Sequence, residues 1–382
     1  MYSLSGYGEM IADRVRIAAY VQALRQSVRP GAVVMDIGTG QGIMAVLACQ
    51  LGASRVYAIE PDEIIQVART IAAANGCADK IEFIEDLSNK VTLPLRADVI
   101  VSDMRGILPL FGHHIPSIAD ARRRFLAPSG TLISRKDTIW TSIVEAPERY
   151  SKIVDPWERN ELGQDLSSAR RMIVNDMHKA RFKPEQVLTE PKLWATIDYA
   201  NVENPDFQGS LNWTVQRAGT GHGIAVWFDA ELADGVGFSN APGAPEAIYG
   251  SMMFPWMNPV PLAAGQSVCV DLQAKLLEDD YFWRWTTKIA SVDAPAEILA
   301  GFDQSQLQGT VRSLAKLRKT ASDYIPRLSE EGRMQKKALE LMDGQASLEE
   351  IAQRLAAEFP KRFSRWQQAL TFAGEISKDK SM

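Results

Sequence analysis

Between Val33 and Trp140, short β-branched or apolar runs alternate with longer helical stretches, an order that restricts this part of the chain to a parallel sheet covered by helices. Strands are predicted at residues 33–36, 55–59, 81–84, 97–101 and 130–134, and helices over 43–51 and 63–75. Such a βαβαβ series is a doubly wound α/β domain. Its first strand runs into Asp36-Ile37-Gly38-Thr39-Gly40-Gln41-Gly42. The three glycines let the backbone turn tightly and approach a ligand with no Cβ in the way.

From about Trp140 the period changes to two, in Ile224 to Leu232 and Ser267 to Ala274, with Pro and Gly turns between, which predicts an antiparallel β domain. Inside it, residues 151–183 are rich in charge and lack that alternation, so they read as an inserted helical excursion. After Asp303 helices return. Ser347-Leu348-Glu349-Glu350 is a capping box ahead of Ile351, Leu355 and Phe359 at helical spacing, and Gly344 stops a preceding helix over 334–342. With Phe363, Trp366 and Leu370 beyond, residues 325–376 suggest a small helix-turn-helix or winged-helix module. At roughly 150 residues per domain, 382 residues fit a division into 1–140, 141–302 and 303–382.

Forty-two basic against 47 acidic residues give a net charge of −5, which offers no electrostatic reason to hold nucleic acid. Glu340, Glu349, Glu350 and Glu358 argue the same for the C-terminal helices. Cys49, Cys77 and Cys269 are too few and too scattered for a disulfide framework or a metal cluster, so no metal is expected. No apolar stretch approaches the ~18 residues of a membrane span, and the first residues lack a secretory pattern. These features predict a cytoplasmic protein with no membrane partner.

In the glycine turn the third Gly follows two residues after the second, one residue short of the G-x-G-x-x-G dinucleotide fingerprint. Glu60 ends the next strand, 20 residues beyond Gly40, where a carboxylate can accept hydrogen bonds from both ribose hydroxyls. The pattern resembles the first motif of class I methyltransferases dependent on S-adenosylmethionine (SAM). The resemblance implies SAM and its product S-adenosylhomocysteine (SAH) as cofactors, held by Asp36, Gly38, Thr39, Gly40, Gly42, Glu60 and Pro61. An NAD site and a plain structural turn remain open on the residues alone.

Over about residues 5–295 the chain resembles the protein arginine methyltransferases. Glu9-Met10-Ile11-Ala12-Asp13-Arg14-Val15-Arg16, followed by Tyr20, is similar to the family's helix that closes over the cofactor. Arg16 would clamp the SAM carboxylate, a task suited to a planar guanidinium. Asp86-Leu87-Ser88-Asn89 matches the loop that touches adenine, so Ser88 and Asn89 are expected at the cofactor. The fold implied is a Rossmann-like SAM-binding domain, then an antiparallel β-barrel domain with a helical dimerisation arm at about 151–183. A homodimer is expected, because Trp157, Leu162, Leu166, Met172 and Ile173 on such an arm would lie uncovered without a partner.

The substrate loops depart from the family. The hairpin Ser102-Asp103-Met104-Arg105-Gly106-Ile107-Leu108-Pro109-Leu110-Phe111-Gly112 has Asp103 and Gly112 where the family carries two glutamates that grip the substrate guanidinium. Ala247-Ile248-Tyr249 replaces a Thr-His-Trp loop, and Arg105 adds a cation. The expected acceptor is therefore not arginine but a group in a peptide or peptide-derived natural product. Asp103, near the cofactor, would orient it or act as base, with His113, His114 and Tyr249 as helpers. Met252, Met253, Phe254 and Trp256 would line an apolar acceptor pocket or fill the barrel core. A divergent guanidine N-methyltransferase and a catalytically silent peptide-binding scaffold are the alternatives. Residues 338–351 are similar to PqqD-like peptide-binding domains, which implies a leader peptide as partner of the C-terminal module.

Overall fold

The computed structural model describes residues 3–381 apart from Asp293, Pro295 and Arg312. The chain divides into two compact units, Met1–Thr310 and Val311–Met382.

The first unit opens with α1 (Leu4–Ala12) and α2 (Arg14–Ser27). Asp13 separates them, and its carboxylate caps α2 by accepting the Arg16 amide at 3.0 Å. A parallel sheet follows, from β1 (Val33–Ile37), α3 (Ile43–Gln50), β2 (Arg55–Ile59), α4 (Ile65–Ala74), β3 (Ile81–Ile84), β4 (Ala97–Ser102), α5 (His114–Phe125) and β5 (Leu126–Ile133). Its strand order is β3-β2-β1-β4-β5. The order reverses between β1 and β4, and at such a switch point the carboxyl ends of the strands leave a crevice for a ligand. The apolar runs form strands here because both faces are covered: Val34, Met35, Val56, Ala58, Val99 and Val101 are all buried.

The rest of this unit is β6 (Lys136–Val144), α6 (Pro147–Glu158), α7 (Ser167–Ile173), β7 (His178–Ala180), β8 (Lys192–Asp198), β9 (Phe207–Thr214), β10 (Gly219–Ala233), β11 (Val236–Ser239), β12 (Ser251–Leu262), β13 (Ser267–Leu277), β14 (Asp280–Ala290), β15 (Ile298–Ser305) and the single turn α8 (Gln306–Gly309). Two antiparallel sheets result, β7-β12-β10-β6-β8 with β11 on β10, and β15-β14-β13-β9. They share one core, in which Phe254 of the first meets Trp283 and Trp285 of the second at centroid distances of 5.1 Å. Met252, Met253, Phe254 and Trp256 are thus core residues.

The sheets change sooner than the period-two pattern predicts. β6 pairs with β10 from Lys136 onward, so a boundary at residue 140 falls inside a strand. A boundary at 302 likewise cuts β15, which pairs with β14 through Ser305. The excursion at 151–183 holds α6, α7 and β7, and is anchored on its own sheet. Ile153, Val154, Val174 and Phe182 form a cluster with Trp227 and Met253. Trp157, Leu166, Met172 and Ile173 are half-buried, and Leu162, in the turn between the helices, is 74% exposed.

The second unit contains α9 (Leu314–Arg318), α10 (Glu330–Leu341), α11 (Leu348–Glu358) and α12 (Trp366–Lys380). The capping box forms as the sequence predicts, with Ser347 and Glu350 each taking the other's amide. Met334, Ala338, Ile351, Leu355, Phe363 and Ala369 make a separate small core. Among the described residues no strand forms a wing.

Candidate active site

The glycine turn emerges from β1 with Gly38, Gly40 and Gly42 at φ of 69°, 54° and 82°, a region that side chains disfavour. All three positions also leave no room, and a Cβ on Gly38 would stand 2.9 Å from the Met104 Cγ. A Cβ on Gly40 would stand 2.8 Å from the Tyr7 ring, and one on Gly42 would stand 2.9 Å from the Ala68 Cβ. Gly40 therefore lets α1 lie against the turn, whereas Gly42 lets α3 pack on α4. The Asp36 carboxyl accepts the Thr39 hydroxyl at 2.5 Å. Burial pushes its pKa up to about 7. Asp36 and Thr39 are both buried and brace the turn from inside.

Glu60, 9% exposed at the end of β2, accepts the Gly40 amide at 3.0 Å on one oxygen and the Asp62 amide at 3.1 Å on the other. Each oxygen keeps a second lone pair for a ribose hydroxyl. Pro61 is exposed in the bend that follows. Ser88 is buried and Asn89 exposed, and Arg124 of α5 holds the carbonyls of Ser88, Asn89 and Val91. This loop is thus pinned through its backbone, leaving the Asn89 side chain at the surface.

Arg16 lies on α2 and is 9% exposed. Its Nε donates to Asp103 at 2.5 Å and to the Tyr249 hydroxyl at 3.2 Å, and Nη1 donates to the Met10 carbonyl at 3.2 Å. Nη2 has no hydrogen bond among the described residues, so the guanidinium retains donors for a carboxylate. A nearly buried glutamate with free lone pairs, a close glycine backbone and a nearly buried guanidinium with donors to spare fit SAM in charge and in hydrogen-bonding capacity.

Asp103 follows β4 directly. Its two oxygens receive Arg16, the Arg105 Nη1 at 3.1 Å, and the Tyr249 hydroxyl at 2.8 and 2.6 Å. Burial alone would raise its pKa, but the two guanidiniums and the phenol outweigh it and pull the carboxyl down to about 2. Burial and the neighbouring carboxylate hold Tyr249 well above the ordinary phenol value, so it is a neutral donor. Its ring stacks on Phe238 with centroids 5.4 Å apart. The loop that carries it is fastened to the start of α2, because the Ile248 amide donates to Asp13 at 2.8 Å.

Arg105 has no solvent exposure. Nε and Nη2 donate to Asp137 at 2.8 and 3.1 Å, Nη1 donates to the Tyr20 hydroxyl at 2.6 Å, and Nη2 also meets the Ser134 hydroxyl. The Tyr199 hydroxyl donates to Asp137 at 2.5 Å and accepts His114 Nε2 at 2.8 Å. His114 is buried and uncharged, its pKa pushed down to about 3 chiefly by desolvation. Its Nδ1 and the Ser102 hydroxyl have no partner among the described residues, and the two residues line one small cavity. His113 is not part of this network. It pairs at the surface with Asp279 at 2.8 Å.

Of the predicted catalytic set, the structure brings together Asp103 and Tyr249. It adds Tyr20, Ser134, Asp137 and Tyr199, which the sequence reading did not single out as site residues. The one available signal was Asp137, a charge at an inward position of a strand.

Comparisons with known proteins agree with this fold. Residues 18–161 match the family described as ribosomal protein L11 methyltransferase (PrmA), and residues 135–287 match the arginine methyltransferase oligomerization subdomain. Among solved structures, Arabidopsis thaliana protein arginine methyltransferase 10 superposes with a TM-score of 0.70 at 21% identity, covering 79% of this chain and 97% of that one. The Trypanosoma brucei PRMT1 enzyme-prozyme heterotetramer with AdoHcy gives 0.71 at 20% identity, covering 78% and 96%. These likenesses concern the fold. In sequence, the probable protein arginine N-methyltransferase 6 of Arabidopsis thaliana is 31% identical over 59% of this chain, a match that spans 54% of the relative's length. Protein arginine N-methyltransferase 6 of Xenopus laevis is 30% identical over 59% of this chain and 69% of its own. With identity at that level over more than two thirds of a relative, and with the same two-part fold, this chain belongs to the protein arginine methyltransferase family.

Proposed function

We propose that this protein is a SAM-dependent methyltransferase whose acceptor is not a guanidinium. When bound, SAM supplies an electrophilic methyl group on its sulfonium sulfur. Arg16 pairs with its carboxylate, Glu60 takes the ribose hydroxyls, and α1 closes on the glycine turn through Tyr7. Catalysis of such a displacement rests mainly on holding the nucleophile in line with the methyl group.

The observation that supports a non-guanidinium acceptor is the state of Asp103. Both of its oxygens are engaged by Arg16, Arg105 and Tyr249. A substrate guanidinium would have to displace one of two internal guanidiniums and then stand beside the other. Gly112, at the far end of the hairpin, brings no second carboxylate. The test is a glycine-arginine-rich peptide incubated with enzyme and labelled SAM. Little or no methylarginine is expected. Turnover matching that on the natural acceptor would return the protein to the arginine-modifying activity that its relatives' names carry.

The match to an oligomerization subdomain supports a homodimer built through the 151–183 segment. That the acceptor is part of a peptide or peptide-derived product, with a leader segment held by the C-terminal unit, rests on the resemblance of residues 338–351 alone.

A further inference from the structure

Arg16 and Tyr249 lie 233 positions apart in sequence and are tied to each other at two levels. At the backbone, one Asp13 oxygen accepts the Arg16 amide at 3.0 Å and the other accepts the Ile248 amide at 2.8 Å. One carboxylate thus fixes the first turn of α2 against the residue that precedes Tyr249. At the side chains, Arg16 Nε donates to one Asp103 oxygen at 2.5 Å and to the Tyr249 hydroxyl at 3.2 Å, and that hydroxyl donates to the same Asp103 oxygen at 2.6 Å. The three groups close a triangle.

A guanidinium on a long, flexible stem has several rotamers to lose. Asp103 alone would not choose among them, because each carboxylate oxygen offers more than one lone pair. The second contact, from Nε to the Tyr249 oxygen, selects one orientation, and the Met10 carbonyl holds Nη1 at 3.2 Å on the other side. Nη2 is the nitrogen left for a ligand. Tyr249 is itself held firmly: its ring stacks on Phe238 and meets Phe228 edge-on at 5.5 Å. Its loop, between β11 and β12, is fastened by side chains from β7 and just beyond. Lys179 Nζ donates to the Ile248 carbonyl at 2.7 Å, and Arg181 Nη2 donates to the Ala247 carbonyl at 3.0 Å.

We infer that Tyr249 is a positioning residue for the cofactor, setting the Arg16 guanidinium in the orientation that leaves Nη2 for the SAM carboxylate. It acts through Arg16, and its own proton is committed to Asp103. The inference rests on the assignment of Arg16 to that carboxylate made above, and adds the residue that orients it.

Calorimetry tests it with two ligands, SAH and 5′-methylthioadenosine, which has the same nucleoside and sulfur but no carboxylate. Tyr249→Phe removes the hydroxyl and keeps the ring on Phe238. SAH should bind this variant roughly threefold to tenfold more weakly, the scale of one ordinary hydrogen bond, and 5′-methylthioadenosine within about twofold of the wild type. A residue that merely supported the fold would weaken both ligands alike. An SAH loss below about threefold, or equal losses for the two ligands, overturns the inference. A double-mutant cycle in SAH affinity gives a second reading. Arg16→Met should weaken SAH, and adding Tyr249→Phe should cost little more, because the group through which Tyr249 acts is gone. A further loss as large as that of Tyr249→Phe alone overturns the inference, since Tyr249 would then reach the cofactor without Arg16. If Arg16→Met leaves SAH affinity unchanged, the assignment of Arg16 falls and the inference with it. A loss with Arg16→Met and none with Tyr249→Phe overturns the inference and leaves that assignment in place. Where 5′-methylthioadenosine binds too weakly to measure, the cycle decides, and where Arg16→Met does not fold, the two-ligand comparison does. A wild type that binds no SAH ends the cofactor reading and the inference together.

Discussion

Removing Arg105 would leave Asp137 as a carboxylate without solvent contact and with only Tyr199 donating to its side chain. Breaking a buried ion pair from one side costs about 3–5 kcal/mol, because the remaining charge stays desolvated. Arg105→Met should therefore lower stability by that amount in urea unfolding, and Arg105→Met with Asp137→Asn should lose less than the two single changes added together. Additive losses would mean that the two side chains do not depend on each other. Glu60 makes a different prediction, because its oxygens keep free lone pairs at the cofactor side. Glu60→Ala should weaken SAH binding by roughly 1.5–3 kcal/mol, the range for hydrogen bonds to a charged group, as read by calorimetry. An unchanged affinity would remove Glu60 from the ribose. Arg105 also shows where sequence reading stops. Its cationic character in the hairpin is visible in the sequence, but its partners Tyr20 and Asp137 stand 85 and 32 positions away. No local pattern ties these residues together; only the folding of β6 beside the hairpin does so.

At the level of elements, β1, β2 and β4 were legible because they are largely apolar runs bounded by turn residues, and such runs survive as strands when both faces are covered, whereas β5 begins at Leu126, four residues before the predicted start, because its first half carries Pro128, Ser129 and Gly130. Boundaries were less legible where a strand carries polar residues. β6 begins with Lys136-Asp137-Thr138, which gives no alternation of hydrophobicity, yet it pairs with β10 over that stretch. The helix cap at Ser347 was readable because a capping box depends only on residues three apart. The close approach of α3 and α4 depends on one residue. Gly42 has φ of 82°, and an added Cβ would meet the Cβ of Ala68 at 2.9 Å and its Cα at 3.4 Å. The second contact is backbone, so rotation of a side chain cannot relieve it. Gly42→Ala should cost roughly 1–3 kcal/mol, the usual range for overpacking a tight contact. Urea unfolding measures it, and a change under about 0.5 kcal/mol, the ordinary scatter of surface substitutions, would mean that the two helices do not pack this closely.

For the whole molecule, the open matter is what covers the 151–183 segment. Its anchoring cluster of Ile153, Val154, Val174 and Phe182 is satisfied within the chain. An earlier unfolding of the segment on its own is therefore not expected. Its outer end differs: Leu162 is 74% exposed, and Trp157 and Leu166 are only half-buried. These side chains form the part of the segment that a second copy would bury, and a contact between identical surfaces closes with two-fold symmetry. Because α6 and α7 are held by the chain's own sheet, the segment is presented in a fixed orientation, which lowers the ordering cost of association. Light scattering at low micromolar concentration should give a mass near two chains. Replacing residues 155–180 by a short linker should reduce it to one chain, but that change also removes Val174 from the anchoring cluster and could disturb the sheet. Leu162→Asp with Trp157→Ser avoids this, since neither residue belongs to the cluster. The double variant should be monomeric with unchanged thermal unfolding, whereas a variant that remains a dimer would place the interface elsewhere on the molecule.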